Sequence, residues 1–271
     1  MKDRSPVFVS RNNPKIKQIR SLRQRKGREE SGSFLVEGIH PVGAAVESGS
    51  ELLMVFYAPD FLESLFAHEL IERLKSQGVV CYATSGDVFA SMADKENPQG
   101  ILAVARQPRL GLGDLTAEHS PWCMALVAPQ DPGNVGAILR TIDAAGANAL
   151  LLLDSSVDAY HPTAVRASMG ALFRHAVVTA SFAEFAQWAH RQGYHVYGSS
   201  AHAATDYRKI EQFKRPMIML MGSEREGLTP AQSAVCESIV SLPMHGKVTS
   251  LNLAVAAGVL LYAMLDRGEQ S

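Results

Sequence analysis

The sequence predicts an α/β protein in two parts: a small N-terminal α/β domain and a larger C-terminal domain built on a parallel sheet. Apolar stretches of strand length alternate with helical patterns along nearly the whole chain. Uninterrupted apolar runs at 150–153 and 218–221 are typical of strands that are covered on both faces. Residues 107–121 contain two prolines and two glycines without sustained periodicity, which predicts a linker between domains at 1–106 and 122–271.

Composition excludes several classes of protein. The chain has 271 residues, of which 46% are apolar and 20% charged, so it has the composition of a folded protein and not of a disordered one. No apolar run approaches the ~18 residues needed to span a bilayer, and the charged N-terminus is not followed by the apolar core of a signal peptide. The cysteines, Cys81, Cys123 and Cys236, are odd in number and far apart, which predicts no disulfide framework, no metal site and a reducing cytoplasm.

Charge is distributed unevenly along the chain. Residues 1–30 hold ten Lys or Arg against three acidic residues, a net +7, so the other 241 residues sum to −8. A basic head on an acidic body suggests a polyanionic partner such as nucleic acid. A solvated basic helix without a partner is the alternative, and charge alone does not decide between them. The basic residues of the head are Lys2, Arg4, Arg11, Lys15, Lys17, Arg20, Arg23, Arg25, Lys26 and Arg28.

The N-terminal part begins with a predicted helix and continues as a small α/β unit. Asn13 and Pro14 form a helix start, and Ile16, Ile19 and Leu22 give the following helix, at about 13–28, one apolar stripe among basic residues. Strands are predicted at 33–36, 52–57, 79–83 and 101–105. Helices are predicted through 42–46, at 60–76 and at 85–92.

The C-terminal part shows the same alternation with stronger signals. Strands are predicted at 124–128, 149–153, 175–179, 195–198, 217–221 and 238–241. Helices are predicted at 135–145, 162–169, 182–192, 230–235 and about 251–265.

The loop after the first of these strands, residues 129–140, is the first of three unusual segments at strand ends. Ligands of open parallel sheets bind at such carboxyl ends. A polar turn opens a helix here, and we expect Asn134 and Arg140 to face the cleft. An arginine in that position is a fixed cation able to grip phosphate. The structural alternative is that Asn134 only caps the helix and that Arg140 is merely exposed.

The other two segments follow later strands. Residues 222–230 carry Glu224 between two glycines, a pattern that indicates close approach of a ligand to the backbone, although an ordinary charged loop is the alternative. Residues 242–252 lead into an almost wholly apolar helix, with Ser250 as the expected N-cap. Asn252 then lies inside that helix, where a buried amide needs partners.

Taken together, the three segments resemble a known family. NVGAILRT followed by DAAG, then GSEREGL, then LPMHGKVTSLNLAVAAGVLLY closely resemble motifs one, two and three of the SpoU (TrmH) family of RNA 2′-O-ribose methyltransferases, within the SPOUT superfamily. Residues 157–171 resemble the segment that follows motif one. Residues 34–38 and 97–101 resemble the N-terminal substrate-binding domain of the family, which is a small ribosomal-protein-like fold that grips folded RNA. The resemblance covers nearly the whole chain.

The resemblance implies a C-terminal domain with a deep trefoil knot that binds S-adenosylmethionine, and a homodimer with the active site near the subunit interface. Gly222, Leu242 and Leu251 match positions that contact the cofactor. The polar active-site positions of the family correspond to Asn134, Arg140, Glu224, Ser250 and Asn252. Arg140 is either the base that accepts the 2′-OH proton or a group that binds phosphate and stabilises the developing alkoxide, because arginine gives up its proton reluctantly.

The sequence therefore predicts a methyltransferase that acts on a ribose 2′-OH of structured RNA, foremost 23S ribosomal RNA, without a metal and without a membrane. A transfer RNA substrate is one alternative. A non-catalytic RNA-binding or ribosome-assembly protein of the same fold is another.

Overall fold

The computed structural model describes residues 7, 8, 10–93 and 98–268. The chain forms two compact units. The N-terminal unit comprises the described residues up to Pro108 together with Tyr160–Phe173. The C-terminal unit comprises Arg109–Ala159 and the described residues from Arg174 onwards. No helix in the described part of the chain is both long and apolar enough to cross a membrane.

The N-terminal unit contains a mixed sheet of five strands in the order β1-β4-β3-β5-β2. Strand β5 runs antiparallel to β2 and β3, while β4 runs parallel to β1 and β3. The strands are β1 (Val7–Phe8), β2 (Ser33–Glu37), β3 (Leu52–Tyr57), β4 (Cys81–Thr84) and β5 (Ile101–Arg106). The helices are α1 (Pro14–Ser21), α2 (Arg25–Ser31), α3 (Ile39–Glu47), α4 (Leu65–Ser76) and α5 (Gly86–Ala90), with a 3₁₀ turn at Pro59–Phe61. The short strand β1 was not predicted.

The predicted basic helix at 13–28 is wrong in one respect, because it is two helices. Helix α1 ends at Ser21, and α2 starts at Arg25 after an extended residue. The guanidinium of Arg28 is buried and donates to the carbonyl oxygens of Leu22 and Arg23, both at 2.9 Å. These bonds satisfy carbonyl groups at the end of α1, so the chain turns where the apolar pattern alone suggested continuity.

The C-terminal unit contains a seven-stranded sheet in the order β10-β12-β9-β11-β6-β7-β8, with every pair parallel. Its strands are β6 (Trp122–Val127), β7 (Ala149–Leu153), β8 (Ala176–Ala180), β9 (His195–Ser199), β10 (Thr205–Asp206), β11 (Met217–Met221) and β12 (Ser238–Ser241). The helices that follow in sequence are α6 (Pro132–Ala145), α7 (Pro162–Ala167), α8 (Phe182–Arg191), α9 (Pro230–Ser233) and α10 (Leu253–Arg267). Helical 3₁₀ turns lie at Leu112–Asp114, Ala171–Phe173 and Tyr207–Lys209.

The central strands β6, β7 and β11 are buried along their whole length. This confirms the predicted parallel sheet with both faces covered, because every side chain of these strands is removed from water. The core continues into the predicted linker, where Leu115 is only 3% exposed and packs in the same cluster as Cys123 and Phe185. The second half of the segment 107–121 is therefore packed chain of the C-terminal unit.

Residues Tyr160–Phe173 follow motif one in sequence but pack in the N-terminal unit. The ring of Phe34 on β2 lies 4.7 Å from the ring of Tyr160 and 6.2 Å from that of Phe173, measured between centroids. Helix α7 lies between these two aromatic residues in sequence and contacts β2. The linker predicted at 107–121 gave no sign that Tyr160–Phe173 belong to the N-terminal unit. Helical periodicity does not indicate which sheet a helix packs against.

Candidate active site

The site is built where two adjacent strands end. Strand β6 pairs with β11 so that Leu126 lies beside Met221. The segment 129–140 leaves the end of β6, and the segment 222–230 leaves the end of β11. Neighbouring carboxyl ends of parallel strands bring their loops together, so two of the three segments that the sequence singled out share one edge of the sheet.

The first segment turns sharply before α6 begins. Ala128 has a left-handed backbone (φ 47°), which a non-glycine residue adopts at a cost of about 1–2 kcal/mol. The side chain of Gln130 donates to the carbonyl of Ala128 at 2.8 Å. The helix is capped by Asp131, which accepts from the backbone N–H of Gly133 at 2.7 Å. Asn134 is therefore not the cap but a residue of the first turn, and its side chain is available for other contacts.

The third segment ends in a cap that differs from the predicted one. Asn252 is the N-cap of α10, and its Oδ1 accepts from the backbone N–H groups of Ala254 at 2.9 Å and Val255 at 3.3 Å. The prediction of Ser250 as the cap, with Asn252 inside the helix, is wrong. Residues 251 and 252, which looked helical, lie before the helix, because the oxygen of Asn252 accepts from the free N–H groups of the first turn.

Asn252, Asn134 and Glu224 are joined by hydrogen bonds. The side-chain Nδ2 of Asn252 donates to Oδ1 of Asn134 at 2.9 Å. In turn, Nδ2 of Asn134 donates to Oε1 of Glu224 at a longer 3.4 Å. The cap fixes which end of the Asn252 amide is the acceptor, so the direction of donation runs from Asn252 through Asn134 to Glu224. One side chain from each motif meets at a single place, and we call this set the Asn–Asn–Glu chain.

The glycine at the start of motif two is required by close backbone contact. Gly222 is buried, and a Cβ placed on it would lie 2.0 Å from the carbonyl carbon of Gly227 and 2.4 Å from the N of Leu228. The N–H of Gly227 donates to the carbonyl of Ser223 at 3.0 Å, and Gly227 itself has a positive φ of 68°. The loop is thus a tight turn folded against its own first residue.

Arg140 and Ser250 stand apart from the Asn–Asn–Glu chain. Both are exposed, and neither is hydrogen bonded to that chain within the part of the protein described. At about 100° per residue, Arg140 lies about 120° around α6 from Asn134, so the two side chains leave the helix in different directions. Asn134 is hydrogen bonded within the Asn–Asn–Glu chain, whereas Arg140 is exposed to solvent.

The proposed cofactor-binding residues lie at the ends of the same segments. Gly222 directly follows β11, Leu242 follows β12 and is partly buried, and Leu251 precedes α10 and is 39% exposed. S-adenosylmethionine presents a flat purine that suits apolar walls, and a ribose and amino acid that suit backbone donors and acceptors. Leu242 and Leu251 offer apolar side chains, and Gly222 offers backbone groups without a side chain, so the three residues fit that requirement.

Helix α6, which carries Asn134 and Arg140, is fixed to β8 by an ion-pair cluster. Oδ1 and Oδ2 of Asp143 accept from Nε and Nη2 of Arg174 at 3.0 and 2.7 Å. Nε2 of His175 lies 2.8 Å from Oδ1 of the same carboxylate. The hydrogen bond from Arg174, and then that from His175, holds the pKa of Asp143 at about 2. The sequence did not indicate this cluster, because no pattern in it pairs residues 31 positions apart. The local roles of Gln130 and Asp131 were not predicted either.

Two family models match the chain. Residues 121–262 match the SpoU rRNA Methylase family, and residues 13–103 match the MRM3-like substrate binding domain. Within the part of the chain described, there is no group of three or more His, Cys, Asp or Glu side chains placed to hold a metal ion.

Relatives match over almost their whole length. The chain is 31% identical to the 23S rRNA (guanosine(2553)-2′-O)-methyltransferase RlmP of Bacillus subtilis, covering 93% of this chain and 96% of the relative. It is 30% identical to a 23S rRNA (uridine(2479)-2′-O)-methyltransferase of Streptomyces viridochromogenes, covering 96% and 93%. The structure of an AdoMet-bound rRNA methyltransferase from Sinorhizobium meliloti matches with a TM-score of 0.87 and 30% identity, covering 96% of this chain and 97% of that one. With a family model matching residues 121–262 and relatives of this similarity, the chain belongs to the SpoU rRNA methylase family.

Proposed function

We propose that this protein transfers a methyl group from S-adenosylmethionine to a ribose 2′-OH of 23S ribosomal RNA. The observation that carries the proposal is the Asn–Asn–Glu chain, in which side chains 118 and 90 residues apart in sequence are hydrogen bonded. A chain that had kept only the fold would have no need to preserve these polar contacts at the carboxyl edge of its sheet. The activities for which the two relatives are named, together with the match to a substrate-binding domain, support rRNA as the substrate.

The chemistry requires little of the protein beyond orientation and charge stabilisation. The bound cofactor supplies an electrophilic methyl group. A ribose 2′-OH is a weak nucleophile at neutral pH, so its proton must pass to solvent water as the oxygen bonds to the methyl carbon and the carbon–sulfur bond breaks to leave a neutral thioether. Arg140 is an exposed fixed cation on α6. We assign to it the binding of the phosphate next to the target ribose and the stabilisation of the developing alkoxide, because a guanidinium with a pKa above ~12 is a poor base.

The Asn–Asn–Glu chain positions the loops around that chemistry. Glu224 is the final acceptor, so it fixes the amide of Asn134, and Asn134 in turn fixes Asn252 at the start of α10. Ser250 lies two residues before Asn252, and we assign it to orient the 2′-OH. The cap at Asn252 thus holds the motif-three loop at a defined distance from motif one.

We propose that Gly222, Leu242 and Leu251 hold the cofactor and that the segment 242–252 forms part of the trefoil knot expected for this family. The close approach of Gly222 to Gly227 and Leu228 supports a compact motif-two loop. The end of the segment 242–252 is linked to that loop, because Asn252 donates to Asn134 and Asn134 donates to Glu224.

A homodimer is supported by an apolar stripe on α10. Val255, Val259 and Tyr262 are 53, 37 and 51% exposed, and spacings of four and three residues place them on one face of the helix. Leu251, which precedes the helix, is 39% exposed. The stripe begins beside Asn252. A second copy of the chain that covered it would therefore contribute to the site, and we propose that occupant. We also propose that the enzyme acts in the cytoplasm.

The substrate is tested by methyl transfer from radiolabelled S-adenosylmethionine to deproteinised total RNA from a strain that lacks the gene. Label in large ribosomal RNA is the expected result. Label confined to transfer RNA would retain the reaction and replace the substrate. If neither the deproteinised RNA nor assembled ribosomal particles, offered as a second substrate, become labelled while cofactor binding is intact, the non-catalytic alternative is favoured.

A further inference from the structure

The loops that follow β6 and β7 leave their strands in the same unusual way. Ala128 follows β6 with a φ of 47°, and Asp154 follows β7 with a φ of 57°, although neither residue is a glycine. Such left-handed backbones are strained in residues that carry a Cβ, and they persist where neighbouring contacts hold them. Ala128 also precedes Pro129, and a residue before proline favours an extended backbone. The turn that leads into motif one therefore has to be held in place.

The side chain of Gln130 joins these two loops through one atom. Its Nε2 donates to the carbonyl oxygen of Ala128 at 2.8 Å and to that of Ser155 at a longer 3.4 Å. Because both neighbours are acceptors, the end of the side chain that faces them must be the amide nitrogen. Gln130 thus binds the carbonyl of the strained residue and links it to the loop after β7.

The loop after β7 is itself a fixed support. Oδ1 of Asp154 accepts from the backbone N–H of Phe182, at the start of α8, at 2.8 Å. The buried hydroxyl of Ser156 donates to the carbonyl of Leu153 at 2.7 Å. Ser155 lies between these two anchored residues, so a hydrogen bond to its carbonyl restrains the turn of motif one.

Motif one is held from both sides of its strand. In the sheet, β6 lies between β11 and β7. On the β11 side, Asn134 donates to Glu224 at 3.4 Å, a length at which a hydrogen bond is weak. On the β7 side, Gln130 supplies a second restraint, four residues before Asn134, through Ala128 and Ser155.

We propose that Gln130 is a positioning residue for methyl transfer that acts through Asn134. Its amide fixes the turn from which α6 starts, and so places Asn134 for its hydrogen bonds to Asn252 and Glu224. The inference rests on the proposed function, because it takes the Asn–Asn–Glu chain as part of the methyl-transfer site. In this role Gln130 touches neither RNA nor cofactor.

Two backbone hydrogen bonds join the same loops independently of the Gln130 side chain. The N–H of Ala128 donates to the carbonyl of Leu153, and the N–H of Val157 donates to the carbonyl of Pro129, both at 2.9 Å. These bonds remain when the side chain of Gln130 is removed. We therefore expect Gln130→Ala to fold and to melt within about 3 °C of the wild type.

The test compares Gln130→Ala and Gln130→Glu with Gln187→Ala in the full-length protein, with large ribosomal RNA as the substrate. Gln187 is an exposed residue of α8 whose side chain makes no hydrogen bond within the described residues. At about pH 8 we expect kcat to fall roughly tenfold in both Gln130 variants, the effect of one lost hydrogen bond. The KM for RNA and the Kd for S-adenosylmethionine stay unchanged, because the Gln130 amide binds only the protein. Gln187→Ala behaves as the wild type.

Gln130→Glu has a pH profile that a space-filling role would not produce. Its ionised carboxylate would face two carbonyl oxygens without a proton to donate, whereas the protonated carboxyl can donate to the carbonyl of Ala128. Those carbonyls, and the carboxylates of the adjacent Asp131 and Asp154, disfavour the charged form and raise the pKa of the new carboxyl above its ordinary ~4.3. The kcat of Gln130→Glu relative to that of the wild type should therefore rise as the pH falls from about 8 to about 5. The same ratio stays flat for Gln130→Ala.

A double variant tests whether Gln130 acts through Asn134. Asn252→Asp removes another hydrogen bond that holds Asn134, and we expect it, like Gln130→Ala, to be roughly tenfold slower. If both residues act by fixing Asn134, the second loss finds that side chain already displaced. The double variant should then be about tenfold slower than the wild type, and not about a hundredfold slower, as independent effects would make it.

Four results would overturn the proposal: wild-type kcat in Gln130→Ala, a flat pH ratio in Gln130→Glu, a hundredfold loss in the double variant, or a Gln130→Ala protein that melts far below the wild type. A raised KM for RNA with unchanged kcat would also overturn it, since that marks direct contact with RNA. These outcomes differ from failure of the proposed function, in which the wild type itself does not methylate rRNA.

Discussion

The side-chain amide of Asn252 donates to Oδ1 of Asn134 at 2.9 Å, across 118 residues of sequence. This single bond joins the first turn of α6 to the start of α10, and Asn252 uses its other amide atom to cap α10. One residue therefore performs two tasks that mutation can separate. A substitution can therefore remove the hydrogen bond that positions Asn134 and keep the cap that stabilises α10.

Asn252→Asp retains the cap and loses the donor. A carboxylate accepts from the N–H groups of Ala254 and Val255 as the amide does, and it is favoured at a helix N-terminus. We expect the free energy of unfolding to change by less than about 0.5 kcal/mol and methyl transfer to fall roughly tenfold, the equivalent of one hydrogen bond of about 1.4 kcal/mol. Asn252→Ala loses both the cap and the donor, and we expect its free energy of unfolding to fall by a further ~1 kcal/mol. An Asn252→Asp enzyme with wild-type kcat would remove the positioning role.

Gly222→Ala and Gly227→Ala form a matched pair within one loop. A Cβ at Gly222 would lie 2.0 Å from the backbone of Gly227, whereas a Cβ at Gly227 meets nothing within 4 Å. Gly227→Ala suffers only from its positive φ, which costs about 1–2 kcal/mol. Gly222→Ala must displace backbone, and we expect a loss of about 3 kcal/mol or more together with weakened cofactor binding by calorimetry. Equal losses in the two variants would contradict the close contact.

Asp143→Asn tests the ion-pair cluster that fixes α6. The pKa of Asp143 is held at about 2 in the folded protein, below its ordinary 3.8, so the unfolded chain binds the proton more readily. The stabilisation is therefore fully present above about pH 4 and is lost as the pH falls through about 2. The pair is partly exposed, so we expect a loss of about 1 kcal/mol at pH 6. Urea unfolding should show this difference narrowing as the pH is lowered towards 2.

A pH-independent difference between wild type and Asp143→Asn would contradict that assignment. Asp87→Asn serves as the control, because its side chain is 90% exposed and its ion pair with Arg11 spans 3.7 Å. Exposed pairs of that kind contribute about 0–1 kcal/mol, so the control should differ little from the wild type at any pH.

The α10 stripe predicts an oligomeric state. Val259→Glu places a charge in the centre of the apolar face, twice in a symmetric dimer, at a cost of about 3 kcal/mol or more. We expect the wild type to sediment as a dimer and Val259→Glu as a monomer. Leu65→Glu is the control, because Leu65 is an apolar residue of the other unit that is 83% exposed. A monomeric wild type, or a dimeric Val259→Glu, would contradict the proposed interface.

Much of the fold was predictable because strand burial leaves a plain record in the sequence. The runs at 149–153 and 217–221 were placed to the residue as β7 and β11, since a strand covered on both faces must be apolar throughout. The break between α1 and α2 was not predictable. It depends on Arg28 folding back onto Leu22 and Arg23, and in a sequence a buried arginine looks like an exposed one.

The roles of the predicted site residues stay predictions, whereas the hydrogen bonds among three of them are a finding that the sequence did not indicate. The three motifs indicated Asn134, Glu224 and Asn252, yet the order in which they are hydrogen bonded follows from the cap at Asn252, which sequence reasoning gave to Ser250. The expected place of Arg140 at the same cleft stays a prediction, and its spacing of six residues puts it about 120° around α6 from Asn134. The packing of α7 with β2 had no signal in the sequence at all.

The most direct test of the account compares the wild type with Arg140→Ala for the chemical position of the transferred methyl group. Both proteins are incubated with large ribosomal RNA and radiolabelled S-adenosylmethionine, and the RNA is then hydrolysed in alkali. We expect label in alkali-resistant dinucleotides for the wild type, the mark of a 2′-O-methyl ribose, and a loss of that label in Arg140→Ala with cofactor binding unchanged. Alkali-sensitive label in the wild type, or full 2′-O-methylation by Arg140→Ala, would contradict it.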